Sequence, residues 1–298
     1  MRRRAPHLAL IFALISFGCF GCNGIIRYFI QSVAFFHDST RLAMASRDKT
    51  VKIWDANSGE VLLALEGHVN GSTSVAFSHD STLLATGSFD YKVKVWDVSS
   101  GKCLQTLETD EVVRSVAFPQ DSTQLAAGSY GGKIFIWNTT SGELIQTLGG
   151  HTGRIASVAF SQDSGLSTRL ASASYDRTIK IWDVSRGECV QTFNTGRVLF
   201  NVSFDSTGSY LRPDIGLIVL NVAPASDTAI SMDAQKALYR GAALSPDGVW
   251  ITYNTENLLW LPSEYRPSCS AVSGDIIGIG CRSGKILICD INSAKLGV

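Results

Sequence analysis

Two histidine–aspartate pairs are the first residues whose types suit chemistry. His37-Asp38 and His79-Asp80 resemble the pairs that act in general acid–base catalysis. Each pair, however, follows the same tetrapeptide, Ser-Val-Ala-Phe, after the same number of residues. A repeated sequence element explains the pairs better than catalysis does. We therefore expect them in turns, without a catalytic or metal-binding role.

A glycine-rich stretch from Gly278 to Lys285 is the second candidate, because it ends in the Gly-Lys pair of a phosphate-binding loop. That loop needs four residues between its first glycine and the Gly-Lys pair, which places Ile279 where a glycine is required. Ile286 also replaces the Ser or Thr that should follow the lysine. We expect a strand, a turn and a strand here. The sequence thus predicts a protein that is not an enzyme, with no catalytic residue, no cofactor and no metal.

The composition excludes two classes of protein. The 298 residues include 26 Lys and Arg and 26 Asp and Glu, so the formal net charge is zero and nucleic acid is not an expected partner. Charged residues make up 17% and hydrophobic residues 45% of the chain, which argues against intrinsic disorder. The 7 cysteines are odd in number and irregularly spaced, which does not indicate a disulfide framework. These features favour a cytoplasmic location.

Residues 1–25 form an apolar leader that differs from the rest of the sequence. Arg2, Arg3 and Arg4 precede an apolar run from Leu8 to Phe20, the pattern of a secretory signal. The run is short for a spanning helix, which needs about 20 apolar residues. The leader is a signal, a membrane anchor, a gene-model artefact or a strand packed on the following domain. Membrane association or secretion is expected only through this segment.

An internal repeat of about 42 residues dominates the remainder, residues 26–298. Ser-Val-Ala-Phe begins at Ser32, Ser74, Ser115 and Ser157. A tryptophan followed by Asp or Asn closes the third segment of each copy, at Trp54, Trp96, Trp137 and Trp182. Between these markers the sequence alternates in the manner of short strands separated by polar turns. Each copy therefore predicts a four-stranded antiparallel meander.

Such a meander must stack on neighbours to bury both faces. Small residues at one equivalent place suit that stacking: Ala43, Ala85, Ala126 and Ala171. After Phe193 the match weakens, and three degenerate copies start near Asn201, Ala242 and Ser270. The sequence thus predicts an all-β fold of seven stacked meanders, or blades, of which the last three are degenerate. Six or eight blades are the alternatives.

The repeat resembles the WD-repeat β-propeller family. The resemblance implies a buried hydrogen-bonded set in each blade, made by a His, a Ser or Thr, an Asp and the Trp. The second blade offers His68, Ser88, Asp90 and Trp96, and the fourth offers His151, Ser174, Asp176 and Trp182. The first has Ser46, Asp48 and Trp54 with Ile26 at the His position. The third has Ser129 and Trp137, with Thr109 and Gly131 in place of His and Asp.

The residue just before the aspartate position of this hydrogen-bonded set, which we call the tetrad, suggests where a partner binds. It is Arg47, Phe89, Tyr130 and Tyr175 in the first four copies. If the family's geometry holds, these turns lie on one face, and the three aromatic residues form an arc beside Arg47. Exposed aromatic residues flanked by charge are typical of protein-binding surfaces. The alternative is that each aromatic ring covers only its own turn.

The nearly identical segments Val51–Asp55 and Ile179–Asp183 and the stretch 260–265 are similar to the C-terminal propellers of fungal NACHT/WD-repeat incompatibility-type proteins. This resemblance implies a scaffold or ligand-sensing module that binds other proteins, whose identity the sequence does not give. The family's NTPase and effector domains are not found in this sequence, which suggests a detached module or a truncated gene model. Alternatives are an adaptor of another complex, such as one for organelle division, and a membrane-anchored or secreted propeller.

Overall fold

The computed structural model describes residues 11–15, 30–161, 169–196, 198–205, 208–213, 218–220, 242–245, 248–253, 256–273, 276–281 and 286–291. Regular structure in these ranges is β-strand, apart from one 3-10 turn at Ser263–Tyr265. The strands form seven antiparallel sheets, so the predicted all-β fold is confirmed. The number of blades stays a prediction. The chain divides into two compact units, one of 1–64 and 238–298 and one of 65–237.

The strands follow one another as meanders along the chain. A first strand, β1, spans Ile11–Ile15. The first repeat contains β2 (Ile30–Phe35), β3 (Arg41–Ser46), β4 (Val51–Asp55) and β5 (Val61–Leu65). The second contains β6 (Ser72–Phe77), β7 (Leu83–Ser88), β8 (Lys92–Asp97) and β9 (Cys103–Glu108). The third contains β10 (Val113–Ala117), β11 (Gln124–Ser129), β12 (Ile134–Asn138) and β13 (Leu144–Leu148). The fourth contains β14 (Ile155–Phe160), β15 (Arg169–Ser174), β16 (Thr178–Asp183) and β17 (Glu188–Asn194).

The degenerate copies also form sheets where the sequence places them. The fifth has β18 (Val202–Phe204), β19 (Tyr210–Pro213) and β20 (Ile218–Val219). The sixth has β21 (Ala242–Leu244), β22 (Trp250–Tyr253) and β23 (Glu256–Trp260). The seventh has β24 (Pro267–Ser273), β25 (Ile276–Cys281) and β26 (Ile286–Asp290). Residues 282–285 of the glycine-rich stretch lie outside the described residues. The strands β25 and β26 on either side of these residues pair antiparallel.

The repeated serine of Ser-Val-Ala-Phe joins one sheet to the next in the unit 65–237. In each of the four repeats the strand register shifts immediately before this serine, as at a β-bulge, which re-aims a side chain. Ser74 Oγ accepts a hydrogen bond from the backbone N–H of Val116 at 3.1 Å, and Ser115 Oγ accepts one from Val158 at 3.1 Å. Since these N–H groups lie on open sheet edges, the serine gives each one a partner.

Small residues allow these sheets to approach closely. Ala43, Ala85, Ala126 and Ala171 are fully buried, as their repeated position predicts. In the unit 65–237, a Cβ on Gly87 would come within 2.5 Å of the Val113 side chain of the following sheet. The apolar core of this unit lies between consecutive sheets, where Ala85, Val95, Val113 and Trp137 belong to one cluster. Stacking therefore buries most of the first three strands of each repeat in this unit, while the fourth strands β9, β13 and β17 stay largely exposed. The buried strands fit the low charged fraction.

Part of the leader lies in a sheet. Strand β1 pairs antiparallel with β26 and is the fourth strand of the sheet formed with β24 and β25. The rest of the leader lies outside the described residues. No helix in the described part of the chain has the length and apolar character that crossing a membrane requires.

Candidate interaction surface

A chain of buried hydrogen bonds links four side chains of the second repeat. His68 Nδ1 lies 2.9 Å from Asp90 Oδ2, and His68 Nε2 lies 2.8 Å from Thr86 Oγ1. The indole N–H of Trp96 donates to the same Thr86 hydroxyl at 2.9 Å. Because the carboxylate only accepts, the imidazole donates from Nδ1 and accepts the Thr86 hydroxyl proton at Nε2. Every polar atom of the set is thereby satisfied with a neutral histidine.

The hydroxyl in this set belongs to Thr86, which corrects the expectation for Ser88. Both side chains project from the same face of β7. Because they are two positions apart along the strand, about 6.8 Å separates them. Ser88 lies nearer the turn, where its Oγ donates to the backbone carbonyls of Asn70 and Gly71 and accepts from Asp90 N. Ser88 thus fixes the turn that carries Asp90, while Thr86 holds the histidine and the indole.

The fourth repeat has the same arrangement with a serine. His151 Nδ1 lies 2.7 Å from Asp176 Oδ2, and its Nε2 lies 2.7 Å from Ser172 Oγ. Trp182 Nε1 donates to Ser172 Oγ at 2.8 Å. Ser174, the residue expected in this role, donates instead to the Gly153 carbonyl and accepts from Asp176 N. The correction is therefore the same two-residue step along the strand.

Repeats one and three lack both the histidine and this hydroxyl. The position equivalent to Thr86, ten residues before the tryptophan, is Met44 in the first repeat and Ala127 in the third. Ser46 and Asp48 of the first repeat keep the turn, since Asp48 N donates to Ser46 Oγ and Thr50 donates twice to Asp48 Oδ1. Among these four repeats, the histidine and the hydroxyl beside the tryptophan therefore occur together or not at all.

The third repeat replaces the turn aspartate with a glutamate from the preceding segment. Glu111 Oε2 accepts the backbone N–H of Gly131 at 2.8 Å and the hydroxyl of Ser129. Lys133 Nζ lies 3.0 Å from Glu111 Oε1 and 2.8 Å from Asp110 Oδ2. Thr109, at the histidine position, donates its hydroxyl to a backbone carbonyl. A carboxylate thus supports this turn although residue 131 is a glycine.

Burial sets the charge state of the two histidines. Desolvation lowers the pKa of His68 below its ordinary value of 6.5, although the hydrogen bond and charge of Asp90 act in the opposite direction. Burial lowers the pKa of His151 in the same way against the effect of Asp176. For Asp176, burial raises the pKa, but hydrogen bonds from Thr178, His151 and backbone N–H groups outweigh it and bring the pKa to about 2. Each pair is therefore a neutral imidazole on a carboxylate, which suits a structural role.

The turns that these hydrogen bonds support carry a row of aromatic side chains in the unit 65–237. Phe89 meets Tyr130 edge to face with centroids 6.0 Å apart, and Tyr175 meets Phe200 edge to face at 5.8 Å. We call Phe89, Tyr130, Tyr175 and Phe200 the aromatic row. The first three are half-buried, and Phe200 is 60% exposed. The sequence pattern does not predict Phe200, because this residue precedes the fifth copy, where the repeat is weak.

Arg154 fills the gap between the two tyrosines of the aromatic row. Its guanidinium carbon lies 4.1 Å from the Tyr175 ring centroid and 5.4 Å from that of Tyr130. Arg154 is exposed and immediately precedes β14. Phe89, Tyr130 and Tyr175 are thus joined into one surface through ring contacts and a cation. Arg47 is exposed at the equivalent turn of the first repeat, which belongs to the other unit.

Metal-ligating side chains and one small pocket are the remaining features to consider in the described part of the chain. No three His, Cys, Asp or Glu side chains in the described ranges are grouped so that they could hold a metal ion. A small pocket of about 150 Å³ lies near the C-terminal ends of β6, β10 and β14, the first strands of repeats two to four. It is lined by Phe77, Phe118, Phe160 and neighbouring turn residues. His79 lines this pocket without Asp80, so it is not the centre of an acid–base pair there. The surface with distinctive chemistry is the aromatic row with Arg154.

Comparison with known families agrees with this architecture. The family model of the WD domain, G-beta repeat, matches residues 22–55, 59–97, 101–138 and 142–183, just over half of the chain. The chain therefore belongs to the WD-domain, G-beta repeat family, and its fold class is the WD-repeat β-propeller. Members of this family generally mediate protein–protein interactions as non-catalytic scaffolds.

A particular relative lies among fungal proteins. Vegetative incompatibility protein HET-E-1 of Podospora anserina is 45% identical to this chain over 95 residues. The matched region is 32% of this chain and 7% of that protein, so the chain spans a small part of the relative's length. The predicted similarity to fungal NACHT/WD-repeat incompatibility-type proteins is confirmed at the level of the repeats.

Proposed function

We propose that this chain is a non-catalytic interaction module that binds a protein partner on the aromatic row. Phe89, Tyr130 and Tyr175 come from the same turn position of three successive repeats. Each turn is held by a carboxylate, that of Asp90, Glu111 or Asp176, which accepts a hydrogen bond from a backbone N–H group of the turn. A rigid base under partly exposed aromatic residues reduces the entropy lost on binding, which is how hot spots gain affinity. The ring contacts along the row are the observation that carries the proposal.

A triple substitution tests the proposal. We expect Phe89→Ser, Tyr130→Ser and Tyr175→Ser together to abolish partner capture by the immobilised chain, with captured proteins identified by mass spectrometry. The matched control is Leu104→Ser, Ile145→Ser and Val190→Ser, because these residues are exposed apolar side chains on the outer strands of the same three repeats. The control should retain the captured set. Retention by both variants would remove the aromatic row as the binding surface.

Arg47 is included in the proposal as the equivalent residue of the first repeat. An Arg47→Ser variant should weaken capture of the same partner if its turn takes part. The expected result is partial loss, since three of the four aligned side chains remain. Capture equal to that of the unchanged chain would limit the binding surface to the unit 65–237.

We also propose that the module works in the cytoplasm. Cys103 and Cys189 are exposed free thiols, and Cys269, Cys281 and Cys289 are also free. Unpaired cysteines are typical of reducing compartments. Fluorescent tags placed at either end of the chain should give the same diffuse cytoplasmic signal. Secretion or a membrane signal from the C-terminally tagged chain would contradict this location.

A further inference from the structure

The side chain of Arg154 is not needed by the fold of its own turn. The backbone carbonyl of Arg154 accepts the N–H of Tyr175 at 2.9 Å. The same bond joins Phe89 to Gly71 at 3.0 Å and Tyr130 to Val112 at 2.9 Å in the two preceding repeats. Glycine and valine therefore satisfy this position structurally. A guanidinium at residue 154 adds a chemical group that the architecture does not require.

The charge of Arg154 is not neutralised within the described part of the chain. None of the ion pairs there includes Arg154. The carboxylates of the two flanking turns are occupied. Asp176 accepts from His151, Thr152 and Thr178, and Glu111 accepts from Lys133, Ser129 and Gly131. A cation thus lies exposed at the centre of the aromatic row.

The two tyrosines also orient this cation. The guanidinium carbon lies 4.1 and 5.4 Å from the two ring centroids, and no side-chain hydrogen bond of Arg154 is formed within the described part of the chain, so its N–H groups can donate to a ligand. A planar guanidinium held in one orientation matches the two oxygens of a carboxylate through parallel hydrogen bonds. The neighbouring cation Lys133 is already paired with Asp110 and Glu111. One guanidinium of single charge therefore suits one carboxylate rather than a doubly charged phosphate.

We infer that Arg154 is the specificity-determining residue of the aromatic row and binds an aspartate or glutamate side chain in an acidic peptide segment of the partner. This inference rests on the proposed function, because it assigns the partner's chemistry at the same surface. Apolar side chains beside that carboxylate would contact Tyr130, Tyr175 and Phe200. Acidity and an adjacent apolar residue are thus the features that the surface selects.

Selection from a random octapeptide library displayed on phage tests the inference without knowledge of the partner. Peptides retained by the unchanged chain should be enriched in Asp or Glu next to an apolar residue, and selection on Arg154→Ala should lose the acidic preference. A synthetic copy of a selected peptide should bind at least about tenfold more weakly when Gln replaces its acidic residue, or when the chain carries Arg154→Ala. Arg154→Lys should recover only part of the loss, because an ammonium lacks the planar fork.

Arg186→Ala is the matched control, since Arg186 is an exposed arginine in a different turn that pairs with Asp183. It should bind the selected peptide as the unchanged chain does, and equal thermal unfolding midpoints should exclude misfolding. Equal binding of the acidic and Gln peptides, or an acidic preference kept by Arg154→Ala, would overturn the inference. A tighter phosphoserine peptide would also overturn it in favour of phosphate recognition. If instead the triple aromatic variant selects the same peptides as the unchanged chain, the proposed function itself fails.

Discussion

Glu111 lies in the space that a side chain at Gly131 would need. A Cβ built on Gly131 collides with the Glu111 carboxylate. That carboxylate accepts the Gly131 N–H at 2.8 Å and pairs with Lys133 at 3.0 Å. The second and fourth repeats have an aspartate at the position of Gly131, and it supports their turns. In the third repeat, residue 111 rather than residue 131 therefore supplies the carboxylate that supports the turn. This exchange requires a glycine at residue 131, because a side chain there would occupy the space of the Glu111 carboxylate.

We predict that Gly131→Ala destabilises the protein by about 1–3 kcal/mol, as overpacking at a closely packed site does. The new methyl group must displace the Glu111 carboxylate, which then loses its bonds to Ser129, Gly131 and Lys133. Urea unfolding followed by tryptophan fluorescence measures the change in the free energy of unfolding.

Two further variants make the Gly131 experiment specific. In a Glu111→Ala background the added methyl group meets no carboxylate, so Gly131→Ala should cost less than about 0.5 kcal/mol there, a double-mutant coupling. Gly149→Ala is the matched single control, because a Cβ on Gly149 has no neighbour within 4 Å. The same cost of Gly131→Ala in both backgrounds would contradict the exchange.

For the buried hydroxyl of the second repeat, we predict that Thr86→Val lowers the free energy of unfolding by about 2–4 kcal/mol. Valine has nearly the same shape but gives neither a donor to His68 nor an acceptor to Trp96. Two buried polar groups then lack partners, and each costs about 1–3 kcal/mol. Thr86→Ser should cost much less, because Ser172 fills this role in the fourth repeat.

Urea unfolding and the NMR signal of the Trp96 indole N–H together check the role of Thr86. The indole proton should shift upfield in Thr86→Val and stay near its original position in Thr86→Ser. Thr82→Val serves as the control, since the Thr82 hydroxyl bonds only an exposed turn carboxylate, that of Asp80. A Thr86→Val variant as stable as the Thr82 control would show that the hydroxyl is not part of the buried set.

Repetition made most of the fold predictable from the sequence. The spacing from Ser74 to Trp96 recurs in the first and third copies and is three residues longer in the fourth, and all four of these copies form four-stranded sheets. Alternation alone fixes which residues share a strand face. It does not fix which of Thr86 and Ser88 reaches the indole, because both project from the same face. The sequence pattern therefore predicts this hydroxyl two residues too far along the strand in both complete sets.

A comparison of the four copies contained the missing signal for that hydroxyl. A hydroxyl stands ten residues before the tryptophan in the copies with a histidine, at Thr86 and Ser172, and Met44 and Ala127 stand there in the others. Glu111 and Arg154 had no such signal. Their roles depend on how long side chains reach across turns to Gly131 and Tyr175, and this is a property of tertiary structure.

The two buried histidines couple stability to pH with a definite sign. Both His68 and His151 have a pKa below 6.5 in the folded protein because burial disfavours the charged imidazole. Between the lowered pKa of each folded histidine and the pKa of about 6.5 that it has in the unfolded chain, the unfolded chain binds more protons than the folded chain. The free energy of unfolding therefore falls as the pH decreases through that window. The carboxylate of Asp176 adds a second loss at lower pH, between 3.8 and about 2, since its pKa is also lowered.

We predict that the free energy of unfolding decreases as the pH is lowered from 7 to 5, before any carboxylate with an ordinary or lowered pKa titrates. His68→Gln with His151→Gln should reduce this slope, although the double variant is less stable at every pH because it loses the imidazole bonds to both aspartates. His79→Gln, at an exposed turn histidine, is the control and should keep the slope of the unchanged chain. Urea unfolding at half-unit pH intervals measures all three slopes. An equal slope in the double variant would show that the buried histidines are not the source of the pH dependence, because His68 and His151 are the two buried histidines in the described part of the chain.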